Sequence, residues 1–199
     1  MRLFLAIKLD RPAEAQLARR LLELQRALGD TADALRWTPA ANIHATLHFL
    51  GEIDVSRLEA LREALGTRVA EPSFEMSLGG AGVFPASGAP RVVWLAVMKG
   101  AESVANIHRE MGERLTRSRF AVEKRAFSPH VTVARIRDRE SRRTKHLRER
   151  LAVVDAAPIA WIVECVTLFR SDLSGAVPRY EAAHEIRLSN STDGSASRP

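Results

Sequence analysis

Cysteine is almost absent from this sequence of 199 residues, since Cys165 is the only one, and no disulfide can form within the chain. Cys165 lies in the apolar run IVECVTLF, where a buried and inert thiol is expected rather than a nucleophile. Proteins that use no disulfides are typical of reducing compartments, so we expect a cytoplasmic protein. No apolar run approaches the roughly 20 residues that a transmembrane helix needs, and the opening MRLFLAIKLD lacks the cleavage site of a signal peptide. We therefore expect neither a membrane partner nor secretion.

Lysine is also scarce, because only 4 of the 30 basic residues are lysines and the others are arginines. The formal net charge is +6, and residues 135–150 hold eight basic and three acidic residues, a net charge of +5. This segment predicts a basic helix over residues 139–152. Such a helix can attract phosphate, and it can equally be a solvated charged surface. Charge therefore permits a nucleic-acid partner without demonstrating one.

Acidic residues are missing around two stretches that contain histidine. In NIHATLHFLG, residues 42–51, His44 and His48 are four apart, which is the spacing of zinc proteases on a helix. That motif requires a glutamate directly after the first histidine, and Ala45 occupies the position. No acidic third ligand for zinc occurs within residues 38–51 or 126–137. We therefore expect no metal site and no other cofactor.

The sequence does contain a repeated order of elements: strand, helix, histidine-bearing strand, helix, strand. In the first half we predict the strand RLFLAIKL, a helix capped by Asp10, the histidine strand NIHATLHFLG, a helix capped by Asp54 or Ser56, and the strand FEMSLGGAGVF. In the second half we predict RVVWLAVM, a helix with Val104, Ile107, Met111 and Leu115 on its apolar face, HVTVARI, the basic helix, and IAWIVECVTLF. Residues 180–188 predict a last strand. The matching order indicates a degenerate internal duplication.

Both histidine strands contain a histidine, any residue, a threonine and an aliphatic residue: HATL from His44 and HVTV from His130. On a strand, alternation places His44 beside Thr46, and His130 beside Thr132, with the intervening residues facing the core. If the two halves pack about an approximate two-fold axis, both pairs converge on one cleft. Two imidazoles beside one small site can divide proton transfer between a base and an acid, and hydroxyls suit the oxygens of a phosphoryl group.

The other histidines and the aromatic residues are weaker candidates. Strict alternation puts His48 on the His44 face as a peripheral contact, and it puts Phe49 on the apolar face. We expect His108 and His146 on helix surfaces or boundaries and His184 near the last strand. Aromatic residues at strand positions usually belong to the core, so Phe49, Phe84 and Trp37 are not predicted to contact a substrate.

These motifs resemble the two-histidine phosphoesterases, and most closely the bacterial and archaeal RNA 2',3'-cyclic phosphodiesterases. The likeness covers nearly the whole chain, through RLFLAI, RWTPAANIHATLHFLGEI, GGAGVFP, PRVVWLAV, FSPHVTVARIR and LFRSDLSGAVPRYE. Each tetrapeptide alone is a weak signal, but their order together with the other motifs is specific. Two positions depart from the family: Ala45 is smaller than the bulky aliphatic residue common there, and His48 replaces a frequent lysine.

The resemblance implies an α+β fold with pseudo-two-fold duplicated antiparallel sheets and outer helices. Residues 1–188 would form a single bilobal domain of two intertwined lobes, followed by a disordered tail over residues 189–199. It also implies metal-independent hydrolysis of a 2',3'-cyclic phosphate to a 2'-phosphomonoester. His44 would be the proton donor and His130 the proton acceptor, while Thr46, Thr132 and Arg135 would bind the substrate.

The expected partner is an RNA or oligonucleotide with a 2',3'-cyclic phosphate end, and the expected state is a monomer because one chain supplies both motifs. Other activities remain open at this point. They are 2'-5' RNA ligation, hydrolysis of other small cyclic or 2'-5' linked nucleotides, and binding of RNA phosphate ends without catalysis.

Overall fold

The computed structural model describes residues 1–123, 126–137, 143–152, 157–175 and 177–190. These ranges contain the strands β1 (Arg2–Lys8), β2 (Leu35–Trp37), β3 (His44–Glu52), β4 (Arg68–Pro72), β5 (Phe74–Phe84), β6 (Val92–Lys99), β7 (His130–Ile136), β8 (Ile159–Val163), β9 (Cys165–Asp172) and β10 (Arg179–Ser189). The helices are α1 (Arg11–Leu28), α2 (Leu58–Leu65), α3 (Ala101–Arg117) and α4 (Leu147–Ala152). Across the described ranges, none of these helices combines the length and the apolar character that a bilayer crossing requires.

The strands form two five-stranded sheets, which confirms the predicted α+β fold with duplicated, mainly antiparallel sheets. The first sheet has the order β3-β1-β9-β10-β4, and the second has the order β2-β7-β6-β5-β8. All pairs are antiparallel except β10 with β4. In each sheet a histidine strand lies beside the first strand of its own half, β3 beside β1 and β7 beside β6.

The two halves of the chain exchange elements. Strand β5 comes from the first half but pairs with β6 and β8 in the second sheet, while β9 comes from the second half but pairs with β1 in the first sheet. Helix α3 contacts β3 and β4 of the first sheet, and α1 contacts β8 of the second. Each sheet therefore needs strands from both halves, and this ties the two histidine strands into one structure.

Both long helices bury one apolar face, and the face predicted for α3 is confirmed. Helix α1 buries residues at helical spacing, namely Ala13, Leu17, Leu21, Leu24 and Leu28. Helix α3 does the same with Val104, Ile107, Met111 and Leu115. This spacing places one residue per turn on a single stripe, so each helix can cover a sheet while its charged residues stay in solvent.

The run IAWIVECVTLF was predicted as one strand and forms two. Strand β8 ends at Val163 and belongs to the edge of the second sheet, whereas β9 begins at Cys165 inside the first sheet. The burial pattern changes at the same point, from alternation in β8 to three consecutive buried residues in β9. Alternating burial is typical of a strand with one covered face, and consecutive buried residues are typical of a strand covered on both faces, so a single apolar run can supply both. Cys165 at this junction is half-buried, and burial raises the pKa of its thiol, as expected for an inert cysteine.

The basic helix predicted over residues 139–152 is shorter than expected where the structure describes it. Residues 143–146 form a turn, helix α4 covers Leu147–Ala152, and residues 138–142 lie outside the described residues. Arg148 donates hydrogen bonds to the carbonyl oxygens of Pro85 and Gly88, and Arg150 donates to Thr31 Oγ1. These two arginines tie loops together, so part of the basic segment has a structural role.

The carboxyl end of the chain differs slightly from the expected boundary. Strand β10 continues through Ser189, one residue beyond the predicted end of the domain. Of the disordered tail predicted over residues 189–199, residues 191–199 lie outside the described residues.

Asp10 caps α1 as predicted, because its Oδ1 accepts a hydrogen bond of 2.8 Å from the main-chain N–H of Ala13. We expect Asp10→Ala to lower the free energy of unfolding by about 1 kcal/mol, since an unsatisfied N–H is left in the first turn. Asp10→Asn retains a side-chain oxygen and should stay within a few tenths of a kcal/mol of the wild type. Urea unfolding measures both, and equal midpoints for the alanine variant and the wild type would contradict the capping role.

Candidate active site

A β-bulge lies in the same place in both histidine strands. The pairing of β3 with β1 skips Leu47, the residue directly after Thr46. The pairing of β7 with β6 skips Val133, the residue directly after Thr132. The first six residues of the two strands accordingly share one burial pattern: half-buried, buried, half-buried, buried, buried, exposed. A bulge adds a residue to one strand and so reverses the alternation of side chains beyond it.

In β3 the bulge overturns two expectations drawn from strict alternation. His48 was predicted on the His44 face, but it turns to the opposite face and is only 3% exposed. Phe49 was predicted on the apolar face, but it is 54% exposed and its ring centroid lies 6.1 Å from that of Phe4. The ring of Phe4 in turn stacks on His44 at 4.7 Å. Phe49 therefore belongs to the His44 face, and His48 does not.

In β7 the bulge brings a further residue to the face that carries the motif. Strict alternation from His130 would turn Arg135 to the face opposite the motif, whereas the bulge brings Arg135 to the face of His130 and Thr132. Arg135 and Phe49 thus occupy equivalent positions, each five residues after its histidine. The side chain of Arg135 is exposed, as a residue that binds an anion requires.

Both imidazoles are held by the same local contact. Nδ1 of His44 lies 2.8 Å from the carbonyl oxygen of Asn42, and Nδ1 of His130 lies 2.7 Å from that of Ser128. A carbonyl oxygen only accepts, so each Nδ1 carries the proton and donates it, which leaves Nε2 to exchange protons with a substrate. The side chain of Asn42 donates a further hydrogen bond of 2.8 Å to the carbonyl oxygen of Pro178, which fixes the segment before His44.

The His44 ring is enclosed by aromatic side chains. Besides the stack on Phe4, the ring of Tyr180 meets it edge-on at 5.4 Å, and Phe169 lies at 6.3 Å. Burial lowers the pKa of His44 to about 4, and the hydrogen bond to Asn42 opposes this shift without overcoming it. His44 is therefore neutral at pH 7 in the free protein.

The His130 ring also rests against aromatic side chains. Phe84 meets it edge-on at 5.0 Å, and Trp94 lies at 6.4 Å. The Trp94 ring occupies the space above Gly82, where an added Cβ would overlap its six-membered ring. Phe84 was expected in the core, and its contact with His130 was missed because an aromatic residue in a strand predicts burial but not its neighbours.

Two contacts bring the motifs together although they belong to different sheets. Strands β3 and β7 contact each other directly. The ring of Tyr180 contacts His44, and Arg135 is close enough to influence the Tyr180 phenol electrostatically. Burial raises the pKa of that phenol, and the positive charges of Arg135 and Arg2 oppose the increase. Arg135 of the second motif therefore lies near the aromatic wall of the first.

Arg36 lies beside Arg135 on the same face of the sheet and was missed at the level of sequence. The short strand β2 pairs with β7 so that Arg36 stands opposite Arg135, and paired residues share a face of the sheet. Both side chains are exposed. Two like charges directly opposite each other are unfavourable unless an anion lies between or beside them. The motif RW was the available signal, but a three-residue strand gives too little periodicity to predict its pairing.

A paired-imidazole metal site does not form on β3, because His44 and His48 point to opposite faces. Nor do three histidine, cysteine, aspartate or glutamate side chains come together anywhere in the described ranges in a way that could hold a metal ion.

The chain is similar in sequence and in fold to proteins of one family. A family model described as LigT-like phosphoesterase matches residues 12–94 and again residues 95–180. An RNA 2',3'-cyclic phosphodiesterase of Aeropyrum pernix is 33% identical over 86% of this chain and 97% of its own length. A protein of the same name from Thermotoga maritima is 29% identical over 94% of this chain and 96% of its own. The crystal structure of Escherichia coli LigT with 3'-AMP superimposes with a TM-score of 0.70 at 25% identity, over 95% of this chain and 98% of that one. The chain belongs to the LigT-like phosphoesterase family.

Proposed function

We propose that the protein hydrolyses 2',3'-cyclic phosphate ends of RNA to 2'-phosphomonoesters by metal-independent acid–base catalysis with two histidines. The observation that carries the proposal is the matched anchoring of His44 and His130, each with Nδ1 on a carbonyl two residues earlier and Nε2 left for the substrate. The names of the relatives from Aeropyrum pernix and Thermotoga maritima support the substrate class.

The proposed reaction uses the two Nε2 atoms on opposite sides of the phosphorus. Nε2 of neutral His130 takes a proton from water as the water oxygen bonds to phosphorus. The bond from phosphorus to the 3' oxygen breaks, and Nε2–H of protonated His44 gives its proton to that oxygen. The product is a 2'-phosphomonoester, and solvent returns a proton from His130 to His44. The strain of the five-membered cyclic ester reduces the electrophilic assistance that the site must supply.

The hydroxyls of Thr46 and Thr132 and the guanidinium of Arg135 are the proposed ligands of the nonbridging oxygens. Each threonine lies two residues from its histidine and on the same face, before the bulge. Arg135 supplies planar, charged donors, which suit a phosphate whose charge grows during the reaction. The exposed ring of Phe49 beside Phe4 offers a stacking surface for the adjoining base, because stacking on an aromatic ring tolerates any base.

The role of His44 as the proton donor requires its pKa to rise when substrate binds. In the free protein burial holds that pKa at about 4, and a bound phosphate monoanion would favour the charged imidazole. We expect saturating 2'-AMP to raise the pKa of His44 by about 2 units or more, since an adjacent opposite charge shifts pKa values by 1–3 units. NMR titration of the imidazole Cε1–H measures this, and an unchanged pKa with bound 2'-AMP would exclude His44 as the donor.

The direct test of the activity uses an RNA with a 2',3'-cyclic phosphate end, incubated with the protein in EDTA. The expected product carries a 2'-phosphate, identified by chromatography against 2'- and 3'-phosphate standards. Loss of turnover in EDTA, or a 3'-phosphate product, would contradict the proposed mechanism.

We also propose that one chain is sufficient for activity. Both motifs come from the same chain, and each sheet is completed by strands of that chain. Light scattering on the active protein should give a mass near 22.0 kDa, and a stable dimer would contradict the monomeric state.

A further inference from the structure

Three flat rings stack in line behind the cleft, and the proposed mechanism does not use them. The ring centroids of His48 and His108 lie 4.2 Å apart with 17° between their planes. Those of His108 and Phe127 lie 3.9 Å apart with 10° between their planes. The three residues come from β3, from α3 and from the segment before β7, so the stack joins three separate parts of the chain.

The outer members of the stack adjoin the two motifs. His48 follows the β3 bulge, two residues after Thr46, and it faces away from the cleft. Phe127 stands three residues before His130 and directly precedes Ser128, whose carbonyl oxygen accepts the proton of His130 Nδ1. Any shift of either outer ring is therefore transmitted over two or three residues to a motif.

The His48 end of the stack is tightly held. Nε2–H of His48 donates a hydrogen bond of 2.8 Å to the carbonyl oxygen of His108, and the ring is almost completely buried. Gly112, one helical turn after His108, leaves the room that this ring needs. A Cβ on Gly112 would lie 3.2 Å from Cε1 and 3.3 Å from Nε2 of His48. The His48 ring thus has contacts on its edge as well as on its face.

Charge is kept out of the stack at neutral pH. Burial lowers the pKa of His48, and burial together with the neighbouring His48 lowers that of His108 to about 4. The groove on the outer side is lined by charges of both signs, contributed by Arg109, Glu113, Arg117 and Glu123. Neutral rings stack without the repulsion that two imidazolium ions would introduce, so the stack is stable in the pH range where the two proposed catalytic histidines operate.

We propose that His108 is a positioning residue that sets the separation of the His44 and His130 imidazoles by clamping His48 and Phe127 together. The expected effect on turnover rests on the proposed function, whereas the effect of His108 on the spacing of the two imidazoles does not. A stacked aromatic pair contributes about 0.5–1.5 kcal/mol beyond buried area, enough to hold two segments in register. Misplacement of reacting groups by about 1 Å can cost as much as 100-fold in rate, so a loosened clamp should reduce turnover.

The test compares His108→Ala, which removes the central ring, with His108→Phe, which keeps a flat ring between its neighbours. His146→Ala is the matched control, because His146 is 70% exposed in the turn before α4. We expect His108→Ala to lower kcat about 10-fold with KM within about 2-fold, since the phosphate ligands stay in place while the acid and base lose their spacing. The phenylalanine variant and the control should keep kcat within about 2-fold of the wild type.

If His108→Ala fails to fold, a second variant and a second measurement still test the proposal. Gly112→Ala adds a methyl group against the His48 ring while favouring the helix, so it should displace His48 and lower kcat in the same way. The NMR resonances of the His44 and His130 imidazoles should move in His108→Ala and Gly112→Ala and stay in place in His108→Phe and His146→Ala.

Two results would overturn the positioning role. One is unchanged kcat and unchanged His44 and His130 resonances in His108→Ala. The other is an equal loss of kcat in His108→Ala and His108→Phe, because stacking would then not be the cause. Absence of turnover by the wild-type protein would instead refute the proposed function, and the resonances would still decide whether His108 positions the two rings.

Discussion

His130→Ala is expected to lower kcat on an RNA 2',3'-cyclic phosphate by about 10²- to 10⁴-fold, the range associated with loss of a general acid or base. His44→Ala should cause a loss of the same order, since each variant removes one of the two proton-transfer groups. In the wild type, kcat should follow a bell-shaped pH profile whose two apparent pKa values belong to the coupled pair in the substrate complex, where bound phosphate has raised the pKa of His44. Steady-state assays from pH 5 to pH 9 measure both effects.

The same variants separate catalysis from simple binding of phosphate ends. If the protein is an enzyme, both alanine variants should still bind 2'-AMP, with a Kd raised by no more than about 10-fold while turnover falls much further, because Thr46, Thr132 and Arg135 remain. Calorimetry with 2'-AMP provides the Kd, and His146→Ala serves as the control for removal of a histidine. Turnover that survives in both variants would show that the imidazoles do not perform the chemistry.

Arg135→Ala should reduce kcat/KM by about 10- to 100-fold, since charged hydrogen bonds contribute about 1.5–3 kcal/mol. Arg135→Lys should recover only part of the loss, because an ammonium group cannot form the bidentate contact of a guanidinium with phosphate. The decrease of kcat/KM with salt should also be shallower in the alanine variant, since one fewer counterion is released on RNA binding.

The control for this prediction is Arg26→Ala, an exposed arginine in the last turn of α1. It removes the same charge from the molecule but not from the cleft face. If Arg26→Ala reduced kcat/KM as much as Arg135→Ala, the effect would come from net charge and the proposed contact would be wrong.

Much of the architecture could be predicted because it depends on local periodicity. The apolar stripe of α3, from Val104 to Leu115, follows from helical spacing, and the duplication follows from the matching order of elements around His44 and His130. The exchange of β5 and β9 between the sheets could not be predicted in this way. Strand pairing depends on contacts between distant residues, and an apolar strand carries no mark of its neighbour.

Alternation predicted the faces of the side chains correctly only as far as the bulges. His44 with Thr46, and His130 with Thr132, lie before them, so alternation assigned these four residues to the right faces. Beyond the bulge in β3, alternation failed for His48 and Phe49, because an extra residue reverses the pattern and leaves no recognisable change in the sequence.

Arg135 shows what the bulge contributes to the site. Its assignment came from resemblance to the family, since alternation from His130 would have placed it on the wrong face. The repeated bulge supplies the physical reason that a basic residue five positions after the histidine lies on the same face as His130 and Thr132. Arg36, its cross-strand neighbour, could not be found without the pairing of β2 with β7.

The central claim is that the two imidazoles lie on opposite sides of one phosphate group. A crystal structure with bound 2'-AMP tests it most directly. We expect Nε2 of His44 and Nε2 of His130 both to lie within about 3.2 Å of oxygens of the same phosphate, the upper limit of a good hydrogen bond. A phosphate that contacts only one of the rings, or that binds outside the cleft between β3 and β7, would contradict the account.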